Sequence, residues 1–311
     1  MTPSASSPES TERIGTLMRR ATYASLSVAM LLVIVKLGAW FATDSVSLLS
    51  SLIDSLLDGA ASLVNLIAVR QALSPPDREH RFGHGKAEPL ASLGQSAFIA
   101  GSAVLLLVQA AQHLLHPSPV TNSGVGLAVM AFAVVVTFVL LAYQRYVVRH
   151  TGSLVIGVDA FHYRADLVLN LAVIVSLLLT TELGYLAIDP LFGGAIALWI
   201  IWGAWRVANK AVVHLMDQEL PDEDRARIRD IALQHPKVRA VHDLKTRAAG
   251  PDSFIQLHIE MDGGIRLTEA HRISDEVETR LREAFPRAES SSTRIPKAST
   301  SRARFTRLID D

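Results

Sequence analysis

The sequence predicts an α-helical membrane protein of six transmembrane helices, followed by a small cytoplasmic α+β domain of ferredoxin-like or metallochaperone-like form whose closing strand is in doubt. Three observations carry this prediction. Half of the 311 residues are hydrophobic and only 19% are charged, with a mean hydropathy of +0.29, a balance set by long apolar runs. Those runs recur six times, at about 22–43, 47–71, 89–113, 122–144, 153–180 and 187–212, each near the roughly 20 residues that cross a bilayer. From about Leu220 the pattern turns to short amphipathic and alternating segments, as in a water-soluble fold.

In chain order, residues 1–21 read as a disordered cytoplasmic tail. The opening MTPSASSPESTERIG is polar and acidic and lacks the apolar stretch of a cleaved signal. Residues 22–216 form the six-helix transmembrane domain. Its orientation follows from the basic residues. Arg19 and Arg20 precede the first span, Arg78, Arg81 and Lys86 follow the second, Arg145 and Arg149 follow the fourth, and Arg206 and Lys210 close the sixth. The intervening loops, near Asp44, at 113–123 and at 181–190, contain no Lys or Arg. The positive-inside rule then places both termini in the cytoplasm.

Residues 217–289 form the α+β domain. Glu219-Leu220-Pro221-Asp222 opens an amphipathic helix that runs to His235. Val238 to Arg247 and Ser253 to Met261 read as strands around the turn Ala248-Ala249-Gly250-Pro251-Asp252. Ile255, Leu257, Ile259 and Met261 alternate with Gln256, His258 and Glu260, so one face is core and His258 faces away. Leu267 to Phe285 is a second amphipathic helix. Helix, strand, strand, helix makes a small sandwich that lacks only a closing strand. Residues 290–311 show no strand alternation and read as a disordered tail.

Composition also narrows the chemistry. Thirty basic and thirty acidic residues cancel, so nothing in the charge points to nucleic acid. The absence of cysteine removes disulfides and thiolate ligands, leaves nitrogen and oxygen donors for any metal, and disfavours copper(I).

Within the apolar runs stand ionisable residues. Span two contains Asp54 and Asp58, one helical turn apart on one face, and span five contains His162 and Asp166 at the same spacing. Asp54 lies about eight residues from the outer face and His162 about nine from the inner face, so both sit roughly 12–14 Å deep in a core of about 30 Å. Three carboxylates there require a cation or protons to persist. With one imidazole they make a four-donor set that suits zinc and would also hold iron(II), cadmium or cobalt(II). Lys36, in the first span, is expected to pair with a carboxylate or line water. A second cluster follows span two, where Gly83 and Gly85 let a short loop fold so that Asp77, His80 and His84 can converge on one ion. A third group, His242, His258 and His271, is spread over the strands and second helix of the tail domain.

Three stretches in combination, Ser51-Leu52-Ile53-Asp54-Ser55-Leu56-Leu57-Asp58, Phe82-Gly83-His84-Gly85-Lys86-Ala87-Glu88 and His162-Tyr163-Arg164-Ala165-Asp166, resemble the cation diffusion facilitator family. Within it they resemble the bacterial ferrous-iron and zinc efflux pumps, from about Thr22 to Glu289. The resemblance implies divalent-metal efflux in exchange for protons across the bacterial inner membrane, by a transporter with no resident cofactor. It implies a transport site of Asp54, Asp58, His162 and Asp166, and an interfacial site of Asp77, His80 and His84. It also implies a homodimer formed through the cytoplasmic domain, with a charged interlock at Lys86 and Asp217, and a cytoplasmic metal site that includes His242, His258 and His271. Proton exchange has its own rationale, because imidazole and carboxylates bind metal only when deprotonated.

One departure stands out. Where this branch has a strand of the form Val-Ile-Ile-His-Gln-Asp-Pro, the chain reads Glu289-Ser290-Ser291-Ser292-Thr293-Arg294-Ile295-Pro296. Two ligands of the cytoplasmic site are thereby missing. A one-nucleotide deletion near codon 289 converts one strand into the other for a suitable choice of codons; natural divergence is the alternative. Three other functions compete with transport. A metal sensor binds without flux, an intramembrane metalloenzyme activates water, and a passive channel ignores a pH gradient. No His-Glu-x-x-His helix is present to favour the enzyme.

Overall fold

Long apolar runs in a chain with few helix breakers give long helices, and six of them fill the first two thirds of the computed structural model. The structure describes residues 8–44, 46–115, 124–183, 188–250, 252–286 and 288–296. The helices are α1 (Pro8–Thr43), α2 (Val46–Ala72), α3 (Ala87–Leu115), α4 (Gly124–Thr151), α5 (Leu154–Leu183) and α6 (Ile188–Leu215). Among the described residues, five contain stretches long and apolar enough to cross a membrane: Glu12–Thr43, Ser51–Ala72, Ala87–Leu115, Ala128–Thr151 and Pro190–Leu215. Helix α5 has 30 residues, matching the others in length, but carries Asp159, Arg164 and Asp166 in its first half.

The outward faces of the bundle are apolar. Ile34, Phe41, Leu105, Phe138 and Trp205 are 63, 75, 65, 63 and 71% exposed, a surface suited to lipid and costly in water. Inside, α5 packs against its neighbours. Val158, Phe161 and Ala165 join Ile99 and Ala103 of α3 and Ile200 and Ala204 of α6. Val155 and Ile156 join Met18 and Ala21 of α1, Val69 of α2 and Val147 of α4.

The N-terminal tail expected to be disordered through residue 21 is instead helical from Pro8 onward. Proline is pre-organised for the first helical position, where no N–H is needed. Met18 and Ala21 are buried against the bundle. Burial two turns further on thus extends a helix into polar sequence.

A second compact unit begins at Asp217. It contains α7 (Asp222–Leu233), β1 (Ala240–Ala249), β2 (Asp252–Met261), α8 (Leu267–Ala284) and β3 (Ala288–Pro296), with sheet order β1-β2-β3. Two residues separate β1 from β2, a connection that permits only an antiparallel hairpin. Gly250 supplies a φ of +62° there, which a residue with a side chain rarely adopts. Strand β3 pairs parallel to β2, in register from Ser253 with Ala288 to Met261 with Pro296, and α8 is the crossover that a parallel pair requires. The expected alternation holds: Ile255, Leu257, Ile259 and Met261 pack with Ile228 and Ala232 of α7 and Ile273, Val277 and Leu281 of α8.

The closing strand is therefore formed, where the sequence was read as irregular from residue 290. Its ladder is made by the main chain and not by the side chains. As an edge strand it needs no continuous apolar pattern, and Pro296 falls at its end, where a missing N–H is tolerated. Residues 297–311, also expected to be disordered, lie outside the described residues, as do 1–7.

Candidate metal centre

The centre is built on α2 and α5. On α5, His162 is buried, and its Nε2 lies 2.8 Å from Asp58 Oδ1 of α2 and 3.7 Å from Asp166 Oδ2 one turn along its own helix. The three donor atoms of Asp58, His162 and Asp166 all lie within 4.8 Å of one another. A tetrahedral ion with bonds of about 2.0–2.1 Å separates its donors by roughly 3.3 Å, and the two measured separations from His162 bracket that figure. Asp54, the fourth donor read from the sequence, stands one turn from Asp58 and is exposed, outside this convergence. It remains in the field of Asp58 and Lys36.

Lys36 does not enter the cluster. Its Nζ donates to the Ser51 carbonyl at 3.1 Å and to Ser55 Oγ at 2.6 Å, tying α1 to the turn of α2 that carries Asp54. Arg164 turns away, its guanidinium 5.3 Å from the Phe161 ring centre and 5.2 Å from that of Trp199, a cation–π arrangement. Phe161 is itself seated in a notch made by Gly203 of α6, where an added Cβ would lie 2.1 Å from the ring.

A second centre forms in the loop between α2 and α3. Asp77 lies 3.3 Å from both His80 Nδ1 and His84 Nε2, and the three residues form a ligand-capable group. The loop is held by Asp77 itself, whose Oδ1 accepts the N–H groups of Glu79 and His80 at 2.9 and 2.6 Å. Gly83, with φ of +76°, completes the turn. The main-chain N–H of His80 and, beyond it, that of Glu79 hold the Asp77 carboxyl below the usual carboxylate range. Lys86, assigned to an interlock, donates to the Leu215 carbonyl at 3.3 Å, and Asp217 pairs with Arg247 at 3.3 Å.

The third group does not converge. Among the described residues, His242, His258 and His271 belong to no cluster of three. His242 Nε2 meets Glu260 across the hairpin at 3.0 Å, and His271 Nε2 faces Asp275 of α8 at 3.6 Å. The two rings thus turn to carboxylates on different elements.

The structure also reveals a polar centre that the sequence reading passed over. Asp159 of α5, 3% exposed, accepts hydrogen bonds from Ser25 Oγ of α1 (2.6 Å), Asn65 Nδ2 of α2 (3.0 Å), Gln95 Nε2 of α3 (3.3 Å) and Gln144 Nε2 of α4 (2.6 Å). Asn65 lies seven residues before Ala72, Gln95 eight after Ala87, Gln144 seven before Thr151 and Asp159 five after Leu154, one polar side chain per helix at a common depth.

Apolar helices enclosing a carboxylate–imidazole cluster, in one chain with a small α+β domain, define the class: a multi-pass membrane transporter of divalent metal ions rather than an enzyme. The chain belongs to the cation diffusion facilitator family. Residues 22–216 match the cation efflux transmembrane domain, and residues 220–293 match the cation efflux protein cytoplasmic domain. It is 46% identical to the cation-efflux pump FieF of Cronobacter sakazakii over 88% of this chain and 90% of that protein. It is 44% identical to FieF of Escherichia coli over 88% and 90%. A solved structure from the candidate zinc transporter CzrB is 40% identical over 25% of this chain and 99% of its own, with a TM-score of 0.25.

Proposed function

We propose that this chain exports zinc, iron(II), cadmium or cobalt(II) in exchange for protons, through a site formed by Asp58, His162 and Asp166 and completed by Asp54. The observation that carries this reading is the meeting of the three donors from α2 and α5 within a bundle of long helices with apolar outer faces. In this reading α5 also crosses the membrane, as the fifth of six spans, its charged half lining the path and not the lipid. Both termini face the cytoplasm, the membrane is the bacterial inner membrane, and two copies join through the β-sheet domain. Asp77, His80 and His84 form a further metal site at the cytoplasmic interface. The tail histidines, lacking the two ligands of the family's strand, leave the cytoplasmic site incomplete.

Hydrogen bonding within the cluster supports proton exchange. His162 is already bonded to Asp58 at 2.8 Å, so a bound proton occupies lone pairs that a metal must take. Titration of the purified full chain with zinc, in buffers of different protonation enthalpy, tests this. Binding at the transport site should release protons, and Asp58→Ala should remove both that site and its proton release while leaving the Asp77 loop site. Unchanged zinc stoichiometry and proton release in Asp58→Ala would place the transport site elsewhere.

A further inference from the structure

Asp159 belongs to neither metal cluster, yet it is the meeting point of five helices. Its two oxygens offer about four lone-pair positions, and all four are filled by neutral donors. Oδ2 receives Ser25 Oγ and Gln144 Nε2, and Oδ1 receives Asn65 Nδ2 and Gln95 Nε2. Gln144 also donates to Ser25 Oγ at 2.8 Å. No cation is among these partners. The titratable groups facing Asp159 are His162 and Tyr163, both on α5. Helices α1 to α4 present Ser25, Asn65, Gln95 and Gln144, all neutral.

The amides carry a second peculiarity. Asn65 Oδ1, Gln95 Oε1 and Gln144 Oε1 are buried without a hydrogen-bond partner among the described residues, a condition rare in folded interiors. A carboxamide keeps its shape when turned by half a rotation, exchanging its NH2 for its oxygen. A turned amide therefore offers an acceptor where the carboxylate had a donor. With all three amides as they stand, the cage suits the anion. With one amide turned, it suits the neutral acid, whose O–H donates to the turned oxygen. Cations or main-chain N–H groups, which cannot reverse, would favour the anion alone.

We propose that Asp159 is a proton-binding site separate from the metal ligands, taking up and releasing one proton in each transport cycle as an amide of its cage reverses. Only an O–H bond forms or breaks, and water at the membrane face supplies or receives the proton. The inference rests on the antiport reading. It adds a proton carrier one helical turn from His162, so that α5 senses metal and proton at separate positions.

The test uses the full chain in proteoliposomes with metal and pH indicators, together with infrared difference spectra of the metal-free protein. Asp159→Asn keeps the shape and cannot take the proton. It should bind zinc like the unmodified chain and carry it down its own gradient, but move one proton fewer per metal and respond less to an imposed pH gradient. A titrating carboxylic C=O band should be present in the unmodified chain and in Asp58→Ala, and missing in Asp159→Asn. If Asp159→Asn does not fold, Gln144→Leu keeps the acid while removing one donor to the anion. That variant should move the midpoint of the band to higher pH by roughly one unit. Wild-type proton counts and an unchanged band in Asp159→Asn, or an unmoved midpoint in Gln144→Leu, would overturn the proposal. Flux of the unmodified chain that ignores pH would instead defeat the antiport reading, and this proposal with it. The two failures differ in whether the unmodified chain is coupled.

Discussion

His162 and Asp77 show how single residues set the properties of the two candidate metal centres. His162 is held between carboxylates from two helices, whereas Asp77 is held by the main chain of its own loop. Main-chain donors keep Asp77 ionised to lower pH than an ordinary carboxylate. Asp77→Asn removes a direct ligand. Its loop-site affinity should fall by more than the roughly 10–100-fold typical of outer-shell changes, while transport-site binding persists, as two-site calorimetric titration would show. These roles were differently legible. The pairs Asp54/Asp58 and His162/Asp166 announced themselves by i, i+4 spacing, and Asp77, His80 and His84 by their nearness in sequence. Spacing does not say which way a side chain turns, so it placed Asp54 inside a convergence from which the structure leaves it out. The cytoplasmic site came from the resemblance and not from spacing, and there His242 and His271 face separate carboxylates.

At the scale of elements, the position of α5 against α6 depends on a missing side chain. A Cβ at Gly203 would strike the ring of Phe161 at 2.1 Å, and Phe161 is buried and adjacent to His162. Gly203→Ala should cost about 1–3 kcal/mol through overpacking and weaken zinc binding at the neighbouring site. Gly101→Ala, which meets nothing within 4 Å, should leave binding unchanged and melt no lower than the parent, since alanine is the better helix former. Thermal melts with zinc titrations on both variants compare the two.

Helix α8 carries a pH dependence of its own. Hydrogen bonding from Lys237 holds Glu269 below the ordinary glutamate range, and bonding from His235 does the same for Glu276. Depressed carboxyls contribute stability that is fully present above the ordinary value, about 4.3, and is lost as pH falls through their lowered values. Hydrogen exchange of α8 amides in the full chain should accelerate in that acid window, and Glu276→Gln should flatten the response. The helices were legible because apolar runs and amphipathic periods are local signals. The first turns of α1 and the whole of β3 were not, since buried partners extend the one and a main-chain ladder makes the other.

For the whole molecule, one chain combines a bundle whose outer surface suits lipid with a domain whose apolar residues are gathered into an interior core. Leu257, fully buried at the centre of that core, tests whether the domain holds two copies together. Leu257→Ala should destabilise the domain by about 2–5 kcal/mol and lower the dimer fraction in light scattering, without altering zinc binding by Asp58, His162 and Asp166. Strand β3 forms from the residues as they stand, so the sheet does not depend on the family's Val-Ile-Ile-His-Gln-Asp-Pro. Reading the gene around codon 289 decides whether a neighbouring frame encodes that strand. The polar layer around Asp159 escaped the sequence reading for a reason of scale. Each helix contributes one ordinary-looking polar residue, and only assembly of five helices shows that they share a depth and a partner.

On the proposed function, divalent metal crosses the membrane through the α2–α5 cluster. The most direct measurement is zinc or cadmium flux in sealed proteoliposomes under an imposed pH gradient, for the full chain and for Asp58→Ala. Flux that follows the pH gradient in the unmodified chain and is abolished by Asp58→Ala is the expected result. Metal bound without flux in either protein, or equal flux in both, would contradict it.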